Sequence, residues 1–191
     1  MRCRRKYRGV LWVPMALLLA APAVAQQIPA ERNPKYNASI DPRFNTSINP
    51  KFNASINPKF NASLNPKYNA SINPRFNASI NPKHNSAINP QYNSSINPEY
   101  DQSLDPKKAS WRGYWVFNLD ADPLGVAVRA GSGVLLYFDA RATWAGYFVS
   151  NGEGGFCWFS LEGEWLGYLL PNSEKGLNLF DTEGVWVAFL A

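Results

Sequence analysis

The sequence predicts an all-β molecule, and three observations carry that expectation. Residues 112–191 align with themselves at a shift of 21 residues without a gap. Each 21-residue unit holds two apolar runs of about five or six residues, rich in aromatic and β-branched types and separated by Gly, Asn, Asp and Glu. Over residues 33–104 a proline recurs at every eighth position; each lacks a donor and biases its predecessor toward extended geometry, so no continuous helix fits. The expected architecture is an antiparallel meander of about four β-hairpins, closed as a barrel or stacked as a hairpin solenoid. An extended or weakly ordered octapeptide stalk precedes it.

In chain order, residues 1–25 read as an export signal. Arg2, Arg4, Arg5, Lys6 and Arg8 precede an apolar run around Leu11 to Ala21, and Ala23-Val24-Ala25 is a small-residue cleavage site. Pro14 and Pro22 and the short run argue against a retained transmembrane helix, so no transmembrane span is expected in the mature chain. Residues 26–32 form a short linker, 33–104 the array, 105–111 a second linker and 112–191 the hairpin domain. The expected location is the periplasm, cell surface or extracellular space.

Charge balance depends on that cleavage. The signal contains five of the 19 basic residues and none of the 14 acidic ones, so the mature chain is neutral and its basic isoelectric point gives no reason to expect nucleic acid. Charge is nevertheless segregated: residues 33–104 hold seven Lys/Arg against Asp41, Glu99 and Asp101, whereas residues 105–191 hold six against ten acidic residues. Cys3 leaves with the signal, and Cys157 alone permits no intrachain disulfide. The domain must therefore be stabilised by its core or by self-association.

The array begins NPKYNASI, DPRFNTSI, NPKFNASI and ends NPEYDQSL at Leu104, nine copies in all. Each Asn-Pro or Asp-Pro favours a turn, because the Asx side chain accepts from the backbone two residues on and proline presets φ. Tyr exchanges with Phe, Lys with Arg and Ile with Leu, so a flat ring, a cation and an aliphatic anchor are what each copy keeps. Stacked turns would make a thin solenoid; unstacked turns make a polar spacer, the favoured expectation, since two apolar groups per eight residues bury little surface. Rings packing on one another are preferred over stacking on sugars or single-stranded nucleic acid. The Asn-X-Ser/Thr triplets read as turn chemistry, and His84, in the ring slot of its copy, as a ring substitution.

In the hairpin domain Phe117, Phe138, Phe159 and Phe180 superpose, as do Pro123, Trp144, Trp165 and Trp186, and Val126, Tyr147, Tyr168 and Phe189. The glycine between Trp and Tyr allows a bulge or a close backbone approach. Both strand faces are apolar, as in Phe156-Cys157-Trp158-Phe159, so a sheet wet on one side is excluded. An outer-membrane barrel would need strands of about 9–11 residues, longer than these runs. The surplus rings are expected to line a ligand groove or a partner interface, and Trp144, Tyr147, Trp158, Trp165, Tyr168 and Trp186 are the candidate ligand-binding residues.

Gly146-Tyr147, Asn151-Gly152, Gly155-Phe156-Cys157-Trp158-Phe159 and Glu162-Gly163 at this period resemble the aromatic hairpin repeats of choline-binding or cell-wall-binding proteins. MORN-type hairpin repeats are about as similar. The first resemblance implies a hairpin solenoid whose shared aromatic side chains cage a quaternary ammonium on a wall polymer, here at Trp158, Trp165 and Tyr168. The inserted tryptophans, Pro123 and Val126 of the first copy, and the octapeptide array depart from that pattern.

No catalytic constellation is visible. Asp139, Glu162, Glu164, Asp181 and Glu183 recur in turns, where hairpin chemistry accounts for them. Asn118, Asp120 and Asp122 alternate like the start of a calcium loop but lack its glycine and distal glutamate. No cofactor, metal site or catalytic residue is expected. The expected function is that of an exported, non-enzymatic envelope protein whose hairpin domain binds an envelope polysaccharide or other extracellular polymer. The alternative is a structural surface protein that self-associates through its aromatics.

Overall fold

The computed structural model describes residues 28–108, 111–131, 133–172 and 176–191. The export signal expected at 1–25 lies outside them. The eight strands are β1 (Tyr114–Phe117), β2 (Pro123–Gly131), β3 (Val134–Asp139), β4 (Trp144–Ser150), β5 (Phe156–Phe159), β6 (Trp165–Pro171), β7 (Leu177–Asp181) and β8 (Trp186–Leu190). Each pairs antiparallel with its chain neighbour, and β1 pairs with β8, closing a barrel. Of the two architectures the sequence leaves open, the chain adopts the closed one.

The turns explain why the hairpins form. Asn118, Asp139, Ser160 and Asp181 each follow a superposed Phe, and each side-chain oxygen accepts from the backbone N–H groups two and four residues on. These are Asx and Ser/Thr turns, so Asp139 and Asp181 serve the backbone. Opposite each turn the ladder slips by one residue, between Val116/Phe117, Tyr137/Phe138, Trp158/Phe159 and Leu179/Phe180. The extra residue is Leu124, Ala145, Leu166 or Val187, which is why the Trp-x-Gly-Tyr segments break simple alternation. A Cβ at Gly167 would collide with Phe180 O, so the close approach at this bulge requires glycine.

Alternation divides the apolar side chains into two sets. Val116, Ala127, Leu135, Phe148, Leu169, Leu177, Leu179, Ala188 and Leu190 form one buried cluster contributed from around the ring, with Trp158 and Phe156 packed against it. This is the barrel interior, of a width that side chains fill. The other set, including Val128, Leu136, Phe138, Tyr147, Cys157 and Phe159, points outward yet is equally buried, because Ile72, Ile80, Ile88 and Ile96 of the octapeptide array pack onto it. Ile56 does the same against Tyr168, Leu170 and Phe180.

The array is therefore no extended stalk, and that expectation is corrected. It is a belt wound around the outside of the barrel. Asn178 Nδ2 on β7 donates to Ile40 O (2.9 Å), Cys157 Sγ on β5 donates to Leu64 O (3.5 Å), and the turns at Ser86–Ile88 and Ser94–Ile96 pack on β2. The belt thus runs against the order of the strands. Two apolar groups per repeat would bury too little by themselves to hold the belt in order. The barrel supplies the missing partner surface, and each fully buried isoleucine contributes about 1.5–3 kcal/mol.

Within the belt, asparagine ties each repeat to the last. Asn57 Oδ1 accepts from Lys59 N while its Nδ2 donates to Pro50 O, and the pattern recurs at Asn49, Asn65, Asn73, Asn81, Asn89 and Asn97. A second row, Asn45 to Asn93, caps the 3-10 turns and donates to the carbonyl six residues back. Asp41 lacks the amide donor; its fully buried carboxylate instead takes Arg43 in a pair at 2.6 Å.

Candidate functional site

Two chemical surfaces result from winding the belt on the barrel. The first is a row of exposed rings. Isoleucines, most of the prolines and the first asparagine of most repeats face the barrel, which turns the aromatic residue of each octapeptide outward. Tyr36, Phe44, Phe52, Phe60, Tyr68, Phe76, Tyr92 and Tyr100 are each 67–76% exposed, with His84 exposed in the same slot. Rings that pack on one another, the preferred sequence reading, are not what forms. Nothing within an octapeptide tells which of its two alternating anchors, aromatic or aliphatic, turns inward, because the surface that chooses between them lies downstream in the hairpin domain.

The second surface is a set of three equivalent clefts between belt and barrel, each walled by one of the superposed tryptophans. One, of about 220 Å³, is lined by Arg43, Asn49, Lys51, Phe180, Gly184 and Trp186. Another, of about 660 Å³, has Lys67, Asn73, Arg75, Phe159, Gly163 and Trp165 in the corresponding places, and also takes in Tyr68. The third, of about 420 Å³, has Gln91, Asn97, Glu99, Phe138, Ala142 and Trp144.

A fixed register produces this equivalence: belt residues in successive clefts are three octapeptides apart, and barrel residues one 21-residue unit apart. Contacts repeat accordingly. Arg43 lies 5.2 Å from the Trp186 ring and Lys67 5.9 Å from the Trp165 ring. A Cβ at Gly184 would be 3.8 Å from Pro50 Cγ, and one at Gly163 equally far from Pro74 Cγ. Three turns of belt mesh with each hairpin.

The sequence-predicted ligand residues fall into this scheme separately. Trp144, Trp165 and Trp186 are half-buried and each stands in its own cleft; Trp144 Nε1 donates to Gly146 O and Trp165 Nε1 to Gly167 O. Tyr147 and Tyr168 are buried beneath the belt, stacked on Phe159 and Phe180 at 5.7 Å, and burial raises both phenols above their usual range. Trp158 belongs to the barrel interior. Trp165 does pack against the cluster of Tyr168, Leu170 and Phe180, but Trp158 faces the barrel interior, so the three do not converge on one cage. Around the Trp165 cleft Lys59, Lys67 and Arg75 outnumber Glu164 and Glu183, the wrong sign for a quaternary ammonium.

The sequence reading names no belt cation among its candidate site residues, although the charge segregation marks the array as cationic, and the structure places Arg43 and Lys67 against the cleft tryptophans. The signal was present: Lys or Arg precedes the ring in seven consecutive copies, and only the last two copies carry Gln91 and Glu99. Cys157 is under the belt, its thiol pushed up to about 12 by burial. Among the described residues no helix is long and apolar enough to cross a membrane, and no cluster of three or more His, Cys, Asp and Glu stands within reach of a metal ion. Comparison of the chain with protein-family models, with curated proteins and with solved structures found no match.

Proposed function

We propose that the protein is an exported, non-enzymatic binding module that holds an extracellular or envelope polymer along its belt. The observation that carries this reading is the row of rings. Eight Phe and Tyr side chains, 67–76% exposed, repeat at one position of a rigidly hydrogen-bonded coil, an arrangement that leaves much apolar area in water and whose regularity matches a repeating ligand. Free exchange of Tyr with Phe points to the ring face as the recognised feature, suited to the apolar faces of sugar rings. Lys and Arg beside the rings favour an acidic polysaccharide. Affinity then grows from many weak contacts spaced along one chain.

Self-association through the same rings is the second reading, favoured by the same exposure. Affinity electrophoresis of the full chain in gels containing alginate or dextran separates the two, alongside sedimentation. Retention by alginate, lost when Phe44, Phe52, Phe60 and Phe76 are replaced together by Ser with the melting temperature unchanged, supports polymer binding. Unchanged mobility in both gels with concentration-dependent sedimentation, abolished by the same variant, overturns it in favour of assembly.

A further inference from the structure

The belt begins and ends beside the same sector of the barrel. Arg32, just before the first octapeptide, and Lys108, just after the last, line one open cleft of about 530 Å³ together with Arg112 and Arg129 of the barrel. Trp111, Tyr114 and Trp115 wall it, and among the described residues no Asp or Glu side chain lines it. Ala191 also borders it, pairing with Trp115 through Trp115 N to Ala191 O (3.0 Å) and Ala191 N to Trp115 O (3.1 Å). Even with a carboxylate counted at that residue, three cations remain in excess. Asp101, whose Oδ1 accepts from Ser103 N, does not line the cleft, but from outside it its carboxylate interacts with the charge of Lys108.

What sets these cations apart is that four of them gather in one cleft; elsewhere on the belt three cations are engaged, while Lys35, Lys51, Arg75 and Lys83 stand singly without a side-chain partner among the described residues. Arg43 is paired with Asp41, Lys59 Nζ donates to Glu183 O (3.4 Å), and Lys67 sits over Trp165. Among the described residues, the only ion pair is Arg43 with Asp41, and no hydrogen bond engages the side chains of Arg32, Lys108 or Arg112. Arg129 spends one donor, Nη2 to Tyr114 Oη at 3.3 Å, and lies 5.7 Å from that ring. Trp111 Nε1 and Trp115 Nε1 have no partner among the described residues, as is also true of Trp158 Nε1 and Trp186 Nε1, so Trp111 and Trp115 each leave a donor free at the wall of the cleft. Asp101 offsets part of the Lys108 charge, but the three guanidinium groups of Arg32, Arg112 and Arg129 have no acidic side chain lining their cleft; like charges so gathered repel one another until an anion offsets them, and guanidinium forks fit oxyanions in particular.

We propose that this seam cleft binds the phosphate class of oxyanion, free or carried on a sugar ring, and that the bound anion ties both ends of the belt to the barrel. The site is independent of the row of rings and stands or falls separately from the polymer reading.

The full chain is titrated with inorganic phosphate and with glucose 6-phosphate at constant ionic strength, following tryptophan emission, with chloride as comparator. Saturable change with phosphate but not chloride is expected, together with slower proteolysis of the belt. R112Q/R129Q, at two exposed positions, should weaken phosphate at least tenfold with an unchanged melting temperature in its absence. R32Q/K108Q should weaken it and remove the protection from proteolysis. Tighter binding of the sugar phosphate than of phosphate identifies a ring-borne ligand stacked on the aromatic wall; equal binding identifies the free anion. The variant lacking the four phenylalanines keeps phosphate binding. The proposal is overturned if chloride reproduces the change, or if R112Q/R129Q binds phosphate as the parent does.

Discussion

Phe117 stacks on Phe189 with ring centroids 5.4 Å apart and planes 23° from parallel, and this contact joins the first strand to the last. The same contact is made inside the chain, by Phe159 on Tyr147 (5.7 Å, 23°) and Phe180 on Tyr168 (5.7 Å, 21°). Closure thus repeats across the ends of the domain a pairing that the 21-residue unit already makes between neighbouring hairpins.

The belt is held by its isoleucines. Ile88 is 2% exposed, and Ile88→Ala should destabilise the molecule by about 2–5 kcal/mol through lost transfer and the cavity left behind. Phe52→Ser, at an exposed ring, should change stability by no more than about 0.5 kcal/mol. Urea unfolding of the two variants checks the contrast; equal losses would mean that the rings, too, are structural.

The asparagine rungs carry a polarity that aspartate cannot reproduce. In Asn57→Asp the acceptor for Lys59 N survives while the donor to Pro50 O is lost, placing a carboxylate beside a carbonyl at a buried position. We expect a loss of about 1–3 kcal/mol. Arg43→Gln should also be costly, since it leaves the buried Asp41 carboxylate without its ion pair. Hydrogen exchange of the neighbouring turns should quicken in both.

Gly167→Ala should cost about 1–3 kcal/mol, because the new methyl meets the Phe180 carbonyl backbone, which has no rotamer with which to yield. Ala188 stands at the equivalent place in the fourth unit, buried in the interior cluster. Ala188→Gly should therefore bring no gain in melting temperature.

Alkaline pH should loosen the belt before it opens the barrel. The Cys157 thiol rises from 9.0 to about 12, and the Tyr147 and Tyr168 phenols are raised above 10, chiefly by burial. Folded-state values above the unfolded ones mean that this stability is whole below pH 9 and is lost as pH climbs toward the folded values. Thiol labelling should be slow at about pH 8 and should accelerate above about pH 10 in step with proteolysis of the array. Fast labelling near neutrality would show that the belt lifts off without any titration.

The hairpins are legible in the sequence because their signals are local. Phe156 to Phe159 and Trp165 to Leu170 mark strands by composition, and Ser160 to Glu164 marks the turn between them. The belt is not legible in the same way. Every octapeptide announces a turn, yet whether the position of Leu64 or that of Phe60 turns inward depends on Cys157 and its neighbours, a contact between residues 93 apart in sequence. The apolar outer face of the strands calls for cover, and composition alone suggests a ligand or partner; the cover is the same chain. The tryptophans stand out as a repeated set but not as walls of separate clefts, since the other wall of each comes from the belt.

The register between belt and barrel gives the array the arithmetic of a gear train. Arg43 engages Trp186 and Lys67 engages Trp165 because three teeth of one wheel pass for each tooth of the other. Tandem arrays gain and lose copies singly, but a single octapeptide added midway would carry every later cation a third of a hairpin past its tryptophan. Only changes in threes leave the mesh intact, so the length of this repeat is set by the circumference it encloses.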